Sequence, residues 1–196
     1  MLYNKHNLSV IRISSKNEAR PELAGVFFTK EKTVATDSIR LLEVSTPTDV
    51  KAQDFSQVGG VSAMLGVKPF IVNAKRLKEI KIPSNKSLPI LQHIAIKHLH
   101  DDRVEFLTTN SESVDIKSIP RVDATFPDYE KIFPTEKPKI EIDINGEMFG
   151  ELLEIMAKMN TQGKVTIKIY GSDKPIVIEG GNTNQKARGM QMLLRS

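Results

Sequence analysis

The sequence contains no cysteine and no tryptophan, and only 6% of its 196 residues are aromatic. Without cysteine, the chain forms no disulfide bond and has no thiolate nucleophile. Its longest apolar runs are too short to span a bilayer, and residues 1–10, MLYNKHNLSV, lack the apolar segment of a signal peptide. We therefore expect a soluble cytoplasmic protein.

Motifs that mark common enzyme classes are also missing. There is no Walker phosphate loop and no Gly-x-Ser-x-Gly nucleophile motif. Gly180-Gly181 lies between predicted strands, with no helix after it, so it does not resemble a phosphate loop. His98 and His100 share one face of a predicted strand with Asp102 beyond, which suits a metal pair, but surface histidines at a strand end explain the same pattern. We predict no enzymatic activity, no cofactor and no metal site.

The charge balance is mildly basic. Lys and Arg number 28 against 24 for Asp and Glu, which gives a formal net charge of +4. This excess is compatible with a polyanionic partner such as DNA, and equally with an ordinary solvated surface. Hydrophobic residues make up 39% of the chain and charged residues 27%, as in an ordinary globular protein.

Hydrophobic periodicity predicts an α+β fold. Two short segments have helical features: residues 74–82, with Asn73 as N-cap, and residues 146–159, with Asn145 as N-cap. Alternating or continuous apolar runs predict strands at 8–14, 23–29, 33–38, 40–46, 70–72, 89–99, 103–109, 113–119, 139–144, 164–170, 175–180 and 187–195.

The order of these elements repeats. Residues 69–119 and residues 139–195 both read as strand, helix and three strands, while residues 8–46 repeat the strands without an obvious helix. We therefore predict three copies of a β-α-β-β-β unit, the first of them degenerate. The predicted domains are a two-unit domain at 1–119, a Pro-rich connector at 120–138 and a single terminal unit at 139–196.

The connector is stiff and apolar. Pro127, Pro134 and Pro138 exclude a helix or a central strand, because proline fixes φ and has no amide donor. Yet the same segment carries the apolar residues Phe126, Tyr129, Ile132 and Phe133. This composition is unusual for a solvated linker and favours a structural or binding role.

Two stretches carry a resemblance to a known family. VATDSIRLLEV (34–44) resembles the Ala-Thr-Asp-Gly-His-Arg-Leu-Ala segment of the bacterial beta sliding clamp. RVDATFPDYEKIFP (121–134) resembles that family's Val-Asp-Gly-Arg-Phe-Pro-Asp-Tyr-Arg-Arg-Val-Leu-Pro segment. Further similarity is found in order along almost the whole chain, in RPELAGVFF (20–28), PFIVNAKRLKEI (69–80) and MQMLLRS (190–196).

The resemblance implies a clamp fold built from repeated β-α-β-β-β units, with sheets outside and helices on one face. Clamps are not enzymes: they encircle duplex DNA and tether DNA polymerases and repair proteins through a hydrophobic peptide-binding cleft, one wall of which is the Phe-Pro-Asp-Tyr connector. Carried over one position at a time, the cleft residues would be Leu23, Thr36, Ser38, Ile39, Arg40, Leu41, Pro127, Lys131, Ile132, Met190, Met192, Leu193, Leu194 and Arg195. The alternative is that the apolar members are ordinary core.

The resemblance also implies contact with double-stranded DNA without sequence specificity, through Lys and Arg that face phosphates. The candidate residues are Lys75, Arg76, Lys78 and Lys81, although a solvated helix face would look the same. The last predicted helix carries Glu147, Glu151 and Glu154 and would repel DNA.

The chain departs from the family in several ways. It has about half the family's length and corresponds to the middle domain followed by the second half of the last domain. Ser38 and Ile39 replace the usual Gly-His, Lys131 replaces Arg, and Leu193 replaces Pro. Family rings contain twelve units, so a ring of three-unit chains would need four copies, and we expect a homo-oligomer. A clamp loader is a further partner that the resemblance allows. The alternative is a clamp-derived peptide-binding adaptor or decoy that does not encircle DNA.

Overall fold

The computed structural model describes residues 2–51, 55, 68–83, 88–100 and 102–194, with the backbone alone at 98–100. The chain divides into two compact units, Met1–Tyr129 and Glu130–Ser196. The boundary between them falls inside the predicted connector, 120–138. None of the helices in the described part of the chain has the length and apolar character needed to cross a membrane.

The first unit is mainly β-structure. Its helices are Lys5–Ser9 (α1), Pro21–Ala24 (α2) and Ala74–Leu77 (α3), with 3-10 turns at Val10–Ile13 and Pro89–Gln92. Its strands are Leu2–Asn4 (β1), Gly25–Phe28 (β2), Lys32–Thr36 (β3), Leu41–Ser45 (β4), Phe70–Asn73 (β5), His93–His100 (β6), Arg103–Thr109 (β7) and Val114–Val122 (β8).

These strands form one antiparallel sheet with an internal symmetry. Their order is β1-β6-β7-β8-β5-β2-β3-β4. Residues 2–45 and residues 70–122 each contain a strand, helical structure and three further strands. The first strand of each half pairs with the second strand of the other half, so that β1 pairs with β6 and β5 pairs with β2. The predicted repeat of β-α-β-β-β units is confirmed in this unit.

The prediction of a strand at 8–14 was wrong, and the first copy, in which no helix was obvious from the sequence, does contain helical structure. The first strand is β1, and residues 5–13 are helical. The side chain of Asn4 accepts hydrogen bonds from the amides of His6 and Asn7, while the side chain of Asn7 accepts from the amide of Asn4. Two asparagines three residues apart thus form a capping box that starts the helix. Short apolar runs such as 8–14 fit both helix and strand periods, so periodicity alone could not decide.

Asn7 also joins the start of the chain to the far edge of the sheet. It is fully buried. Its side-chain nitrogen, Nδ2, donates to the carbonyl oxygens of Val44 and Ser45, each at 3.0 Å. The hydroxyl of Thr33 donates to the backbone carbonyl of Asn7 at 3.0 Å. These bonds connect α1 to β3 and β4, and they satisfy polar groups that burial would otherwise leave unpaired.

Aromatic rings fill the centre of the first unit. The ring of Phe28 stacks on Phe70 with centroids 5.1 Å apart, and it meets Tyr3 and Phe106 edge-on at 5.2 and 5.6 Å. All four rings are buried. They come from β1, β2, β5 and β7, so one cluster holds together strands from both halves of the unit.

The second unit contains one helix, Gly146–Ala157 (α4), and three strands, Thr166–Lys168 (β9), Ile176–Gly181 (β10) and Lys186–Gln191 (β11), all within the described residues. A 3-10 turn spans Glu130–Ile132. The strands form an antiparallel sheet in the order β11-β10-β9. As predicted, Asn145 caps α4 through bonds from the amides of Glu147 and Met148, each at 3.1 Å.

Two glycines allow α4 to lie close to its sheet. A Cβ on Gly180 would be 2.9 Å from the Cβ of Met156, and one on Gly189 would be 2.8 Å from the Cε of the same residue. Met156 packs with Ile176 and Ile178 in the core of this unit. A larger residue at Gly180 would therefore push the helix away from the sheet, whereas at Gly189 the flexible end of the Met156 side chain would have to move aside.

The predicted strand at 139–144 was also wrong, because residues 139–145 have no regular secondary structure. Ile142 and Ile144 do pack on the core, so the apolar alternation was real. However, the segment receives one backbone bond from the end of the chain, from the amide of Leu194 to the carbonyl of Asp143 at 2.8 Å. The alternation of apolar residues in this segment thus reflects side-chain packing on the core and not pairing with a neighbouring strand. The last predicted strand, 187–195, is shorter than expected and ends at Gln191.

Replacing Asn7 tests the connection between the two ends of the first sheet. We expect Asn7→Ala to lower the free energy of unfolding by about 2–3 kcal/mol, because buried carbonyls and an amide lose their partners. Urea denaturation measures the change. Asn17→Ala is the control: its exposed side chain accepts a single hydrogen bond, from the amide of Ala19, so the loss should be smaller, about 1 kcal/mol or less. Equal midpoints for the two variants would contradict the assigned role of Asn7.

Candidate functional site

The turn between β3 and β4 presents an isoleucine to solvent. Asp37 fixes this turn: one of its carboxylate oxygens accepts from the amides of Ile39 at 3.0 Å and Arg40 at 2.7 Å. Its other oxygen accepts from the guanidinium of Arg40 at 3.0 and 2.7 Å. These bonds from the Arg40 and Ile39 amides and the Arg40 side chain lower the pKa of Asp37 to about 2.

The backbone conformation at Ser38 places Ile39 at the tip of this turn. Ser38 has a φ of 75°, a left-handed conformation that glycine adopts most easily, and glycine is the residue that the resembled family has here. Ile39 at the tip is 92% exposed. A fully exposed β-branched side chain on a hydrogen-bonded turn is a candidate for contact with an apolar partner group.

The other residues predicted around this turn have different environments. The hydroxyl of Thr36 is buried and donates to the carbonyl of Arg40 at 2.7 Å, so it stabilises the turn. Leu41 is partly buried and packs with Val34 and Ile71. Leu23, at the end of α2, is buried.

The Pro-rich connector is attached to the first unit by its aromatic residues. Phe126 stacks on Phe27 with ring centroids 4.9 Å apart and planes 7° from parallel. Tyr129 meets Phe126 edge-on at 5.9 Å, and the ammonium of Lys32 lies 5.2 Å from the Tyr129 ring centroid. Between these two buried rings, Pro127 is exposed. The backbone that carries Pro127 is therefore fixed at two points.

In the second unit, Lys131 and Ile132 lie in the 3-10 turn at Glu130–Ile132 and are exposed, Ile132 to 74%. Along the end of the chain, exposure alternates. Met190, Met192 and Leu194 are exposed, whereas Gln191 is buried and Leu193 packs on the core. The exposed set faces away from α4, because neighbouring side chains on an extended backbone point to opposite sides. Arg195 lies outside the described residues.

The predicted DNA-binding residues surround α3. Lys75, Arg76, Lys78 and Lys81 are all exposed. The ammonium of Lys75 pairs with Glu18 at 2.5 Å, and Arg76 lies 3.6 Å from Glu79. Lys78 and Lys81 form no ion pair with other described residues.

Sequence reasoning missed the two glutamates. Glu79 also pairs with Lys117 on β8 at 2.6 Å. Hydrogen bonds from Lys75 and from Lys117 lower the pKa values of Glu18 and Glu79 respectively, so both carboxylates are ionised at neutral pH. Glu18 is distant in sequence from α3, and only its position in the fold brings it to Lys75.

The exposed face of α4 is acidic, as predicted. Glu147, Glu151 and Glu154 are exposed, and Glu154 pairs with Lys158 at 2.5 Å. Over the described residues, no group of three or more His, Cys, Asp or Glu side chains could hold a metal ion. The side chains of His98 and His100 lie outside that set, so the conceivable metal pair there stays untested.

No protein-family model matches this chain, and no curated protein matches it. Solved structures do. The beta subunit of DNA polymerase from Streptococcus pyogenes covers 100% of this chain with 50% of its own, at 16% identity and a TM-score of 0.71. A sliding clamp from Pseudomonas aeruginosa, solved with bound griselimycin, covers 98% with 50% of its own, at 16% identity and 0.65.

A third solved structure, the DNA polymerase III beta subunit of Thermotoga maritima, covers 98% of this chain with 49% of its own, at 20% identity and a TM-score of 0.63. This protein therefore has the fold of the bacterial sliding clamps. It spans about half the length of the solved clamp chains that it matches, and it carries that fold over both of its units.

The pKa of Asp37 provides a test of the turn. A carboxylate whose folded pKa is depressed stabilises the folded turn above its ordinary pKa of 3.8 and loses that effect as the pH falls towards about 2. We expect the turn to stay ordered at pH 4 and the Asp37 carboxyl to titrate near pH 2 in NMR spectra, together with the amide of Ile39. Titration of Asp37 near 3.8 would contradict the bonds assigned to it.

Proposed function

We propose that this chain is a sliding-clamp-like processivity factor, which holds DNA polymerases and other proteins on duplex DNA by binding short peptide segments of them. The observation that carries the proposal is the extent of the fold likeness, which covers 98–100% of the chain and both of its units. The likeness extends from the first unit through the connector into the second.

Peptide binding is supported by exposed apolar side chains at the predicted positions. Ile39 in the first unit and Ile132, Met190, Met192 and Leu194 in the second are all exposed. Burying one such side chain against a partner contributes about 1.5–3 kcal/mol. Methionine and leucine also adapt to partners of different shape, which suits a surface that binds several proteins.

Preorganisation supports the same proposal. Asp37 fixes the turn that carries Ile39, and the rings of Phe126 and Tyr129 fix the backbone on either side of Pro127. A peptide that docks on ordered backbone loses less conformational entropy on the protein side. Among the other predicted residues, Leu23, Thr36 and Leu193 are buried or packed on a core, and they would support the exposed side chains of their own units.

Two aspartate substitutions test the peptide-binding surface. We expect Met192→Asp and Leu194→Asp to weaken binding of a clamp-binding peptide by at least about tenfold, because a carboxylate would be desolvated in an apolar contact. Both side chains are more than half exposed, so the fold should tolerate the change. Fluorescence anisotropy with a labelled Gln/Leu/Phe-type peptide measures the affinity, with griselimycin as a competitor because a Pseudomonas aeruginosa clamp binds it.

A matched control is available in the same unit. Ile155 on α4 is 64% exposed, against 63% for Met192, so Ile155→Asp introduces the same charge at a similarly exposed isoleucine on the helix. We expect Ile155→Asp to leave peptide affinity unchanged. Equal affinities for all three variants and the wild type would overturn the surface assignment.

The second candidate function is a peptide-binding adaptor that does not encircle DNA. It is favoured by one observation: the exposed face of α4 carries Glu147, Glu151 and Glu154, which would repel DNA. Light scattering on a sizing column at several concentrations separates the two. If the ring forms, we expect a stable tetramer, because four chains with three β-α-β-β-β repeats each would supply the twelve repeats of a closed clamp. A monomer or a dimer at all concentrations would contradict a homo-oligomeric ring of twelve repeats and favour the adaptor.

A further inference from the structure

A charged recess lies beside α3 in the first unit. It has a volume of about 520 Å³ and is lined by Glu18, Asn73, Lys75, Arg76, Glu79, Pro120, Arg121 and Val122. Cations outnumber carboxylates among these residues by three to two. The sequence indicated Lys75 and Arg76 for DNA contact, but neither Arg121 nor the two glutamates.

The cations of this recess have internal carboxylate partners. Lys75 contacts Glu18 at 2.5 Å, while Glu79 lies between Arg76 at 3.6 Å and Lys117 at 2.6 Å. In each pair both side chains are at least 41% exposed. Exposed ion pairs of this kind are weak, so another anion can replace the carboxylate at small cost.

Arg121 contributes a donor with no partner. Its Nε is buried and makes no hydrogen bond with any described residue. Guanidinium groups bind phosphate well, because their donors match the oxygen geometry. The Arg121 guanidinium therefore adds a third cation to the lining of the recess, beside the two that the glutamates now neutralise.

We infer that this recess binds a backbone phosphate of duplex DNA through Lys75, Arg76 and Arg121, and that Glu18 and Glu79 compete with the phosphate for the same cations. The inference rests on the proposed function, because it takes DNA as the ligand. It adds a residue to the DNA surface and a reason for weak contact. Each phosphate that binds must displace a carboxylate, so the affinity of the recess for DNA stays low.

Removing one carboxylate should therefore strengthen DNA binding. We expect Glu18→Gln and Glu79→Gln each to raise affinity for a short DNA duplex by about two- to fivefold at 0.1 M salt, the range of a weak exposed ion pair. The salt dependence should also become steeper, by up to about one counterion. Fluorescence anisotropy over a salt series, with duplexes of two unrelated sequences, measures both quantities.

Glu112→Gln is the matched control, because it changes the net charge equally. Glu112 lies in the turn between β7 and β8, at the opposite end of β8 from Arg121. Arg121 lies seven positions beyond Val114 on β8, which corresponds to about 23 Å at 3.3 Å per residue. That exceeds the Debye length of about 10 Å at 0.1 M salt, so Glu112→Gln should change affinity little.

A double variant identifies the mechanism. If Glu18 acts by occupying Lys75, then Glu18→Gln should give no gain in a Lys75→Gln background, whereas a general charge effect would persist there. Salt-dependent binding by the wild type, with equal affinities for the Glu18, Glu79 and Glu112 variants, would overturn this inference and leave the proposed function standing. Absence of DNA binding by every variant and the wild type would overturn both. Binding to one of the two sequences alone would also contradict a phosphate site.

Discussion

The exchange of first strands between the two halves of the first unit is the constraint on which the rest of the fold depends. β1 completes the second half by pairing with β6, and β5 completes the first half by pairing with β2. Either half alone would expose unpaired strand edges and part of the Phe28 cluster. One continuous eight-strand sheet removes that problem, and its order then determines where the turns emerge. The turn at Asp37 and the segment that follows β8 are both consequences of this arrangement.

Each candidate surface is held by interactions that the sequence could only partly reveal. The Asp37 turn is fixed by backbone amides and by Arg40, and the connector is fixed by two buried rings that lie on either side of exposed Pro127. In the second unit, Gly180 and Gly189 let α4 pack tightly on the sheet whose last strand leads to Met192. Ordered backbone with exposed apolar side chains is the common property of these segments, and it favours binding over simple burial.

Sequence reasoning predicted the repeated unit, both asparagine caps and most strands, because these follow from local periodicity and turn chemistry. It failed at residues 8–14, where an apolar run fits two periods and the Asn4–Asn7 capping box decides. It failed again at 139–144, where alternation reflected packing without a ladder. The ion-pair partners of the basic residues could not be predicted either, because only the tertiary fold brings Glu18 to Lys75 and Lys117 to Glu79. The prediction that Met190, Met192 and Leu194 form a binding surface agrees with their exposure and stays a prediction.

Under the proposed function the chain moves along DNA, which requires an attraction to phosphates that is easily exchanged. A formal charge of +4 gives a general attraction, yet an array of unpaired lysines on the DNA side would hold phosphates firmly and slow movement. Carboxylates beside those lysines change the balance. An exposed ion pair of this kind is weak, so a phosphate can replace the carboxylate at Lys75 at small cost. The glutamate carboxylates would then bind the cations whenever no phosphate does, and successive phosphates of the DNA could exchange at the same cations with small energy barriers. On this view, the acidic residues around α3 set the strength of contact rather than oppose it.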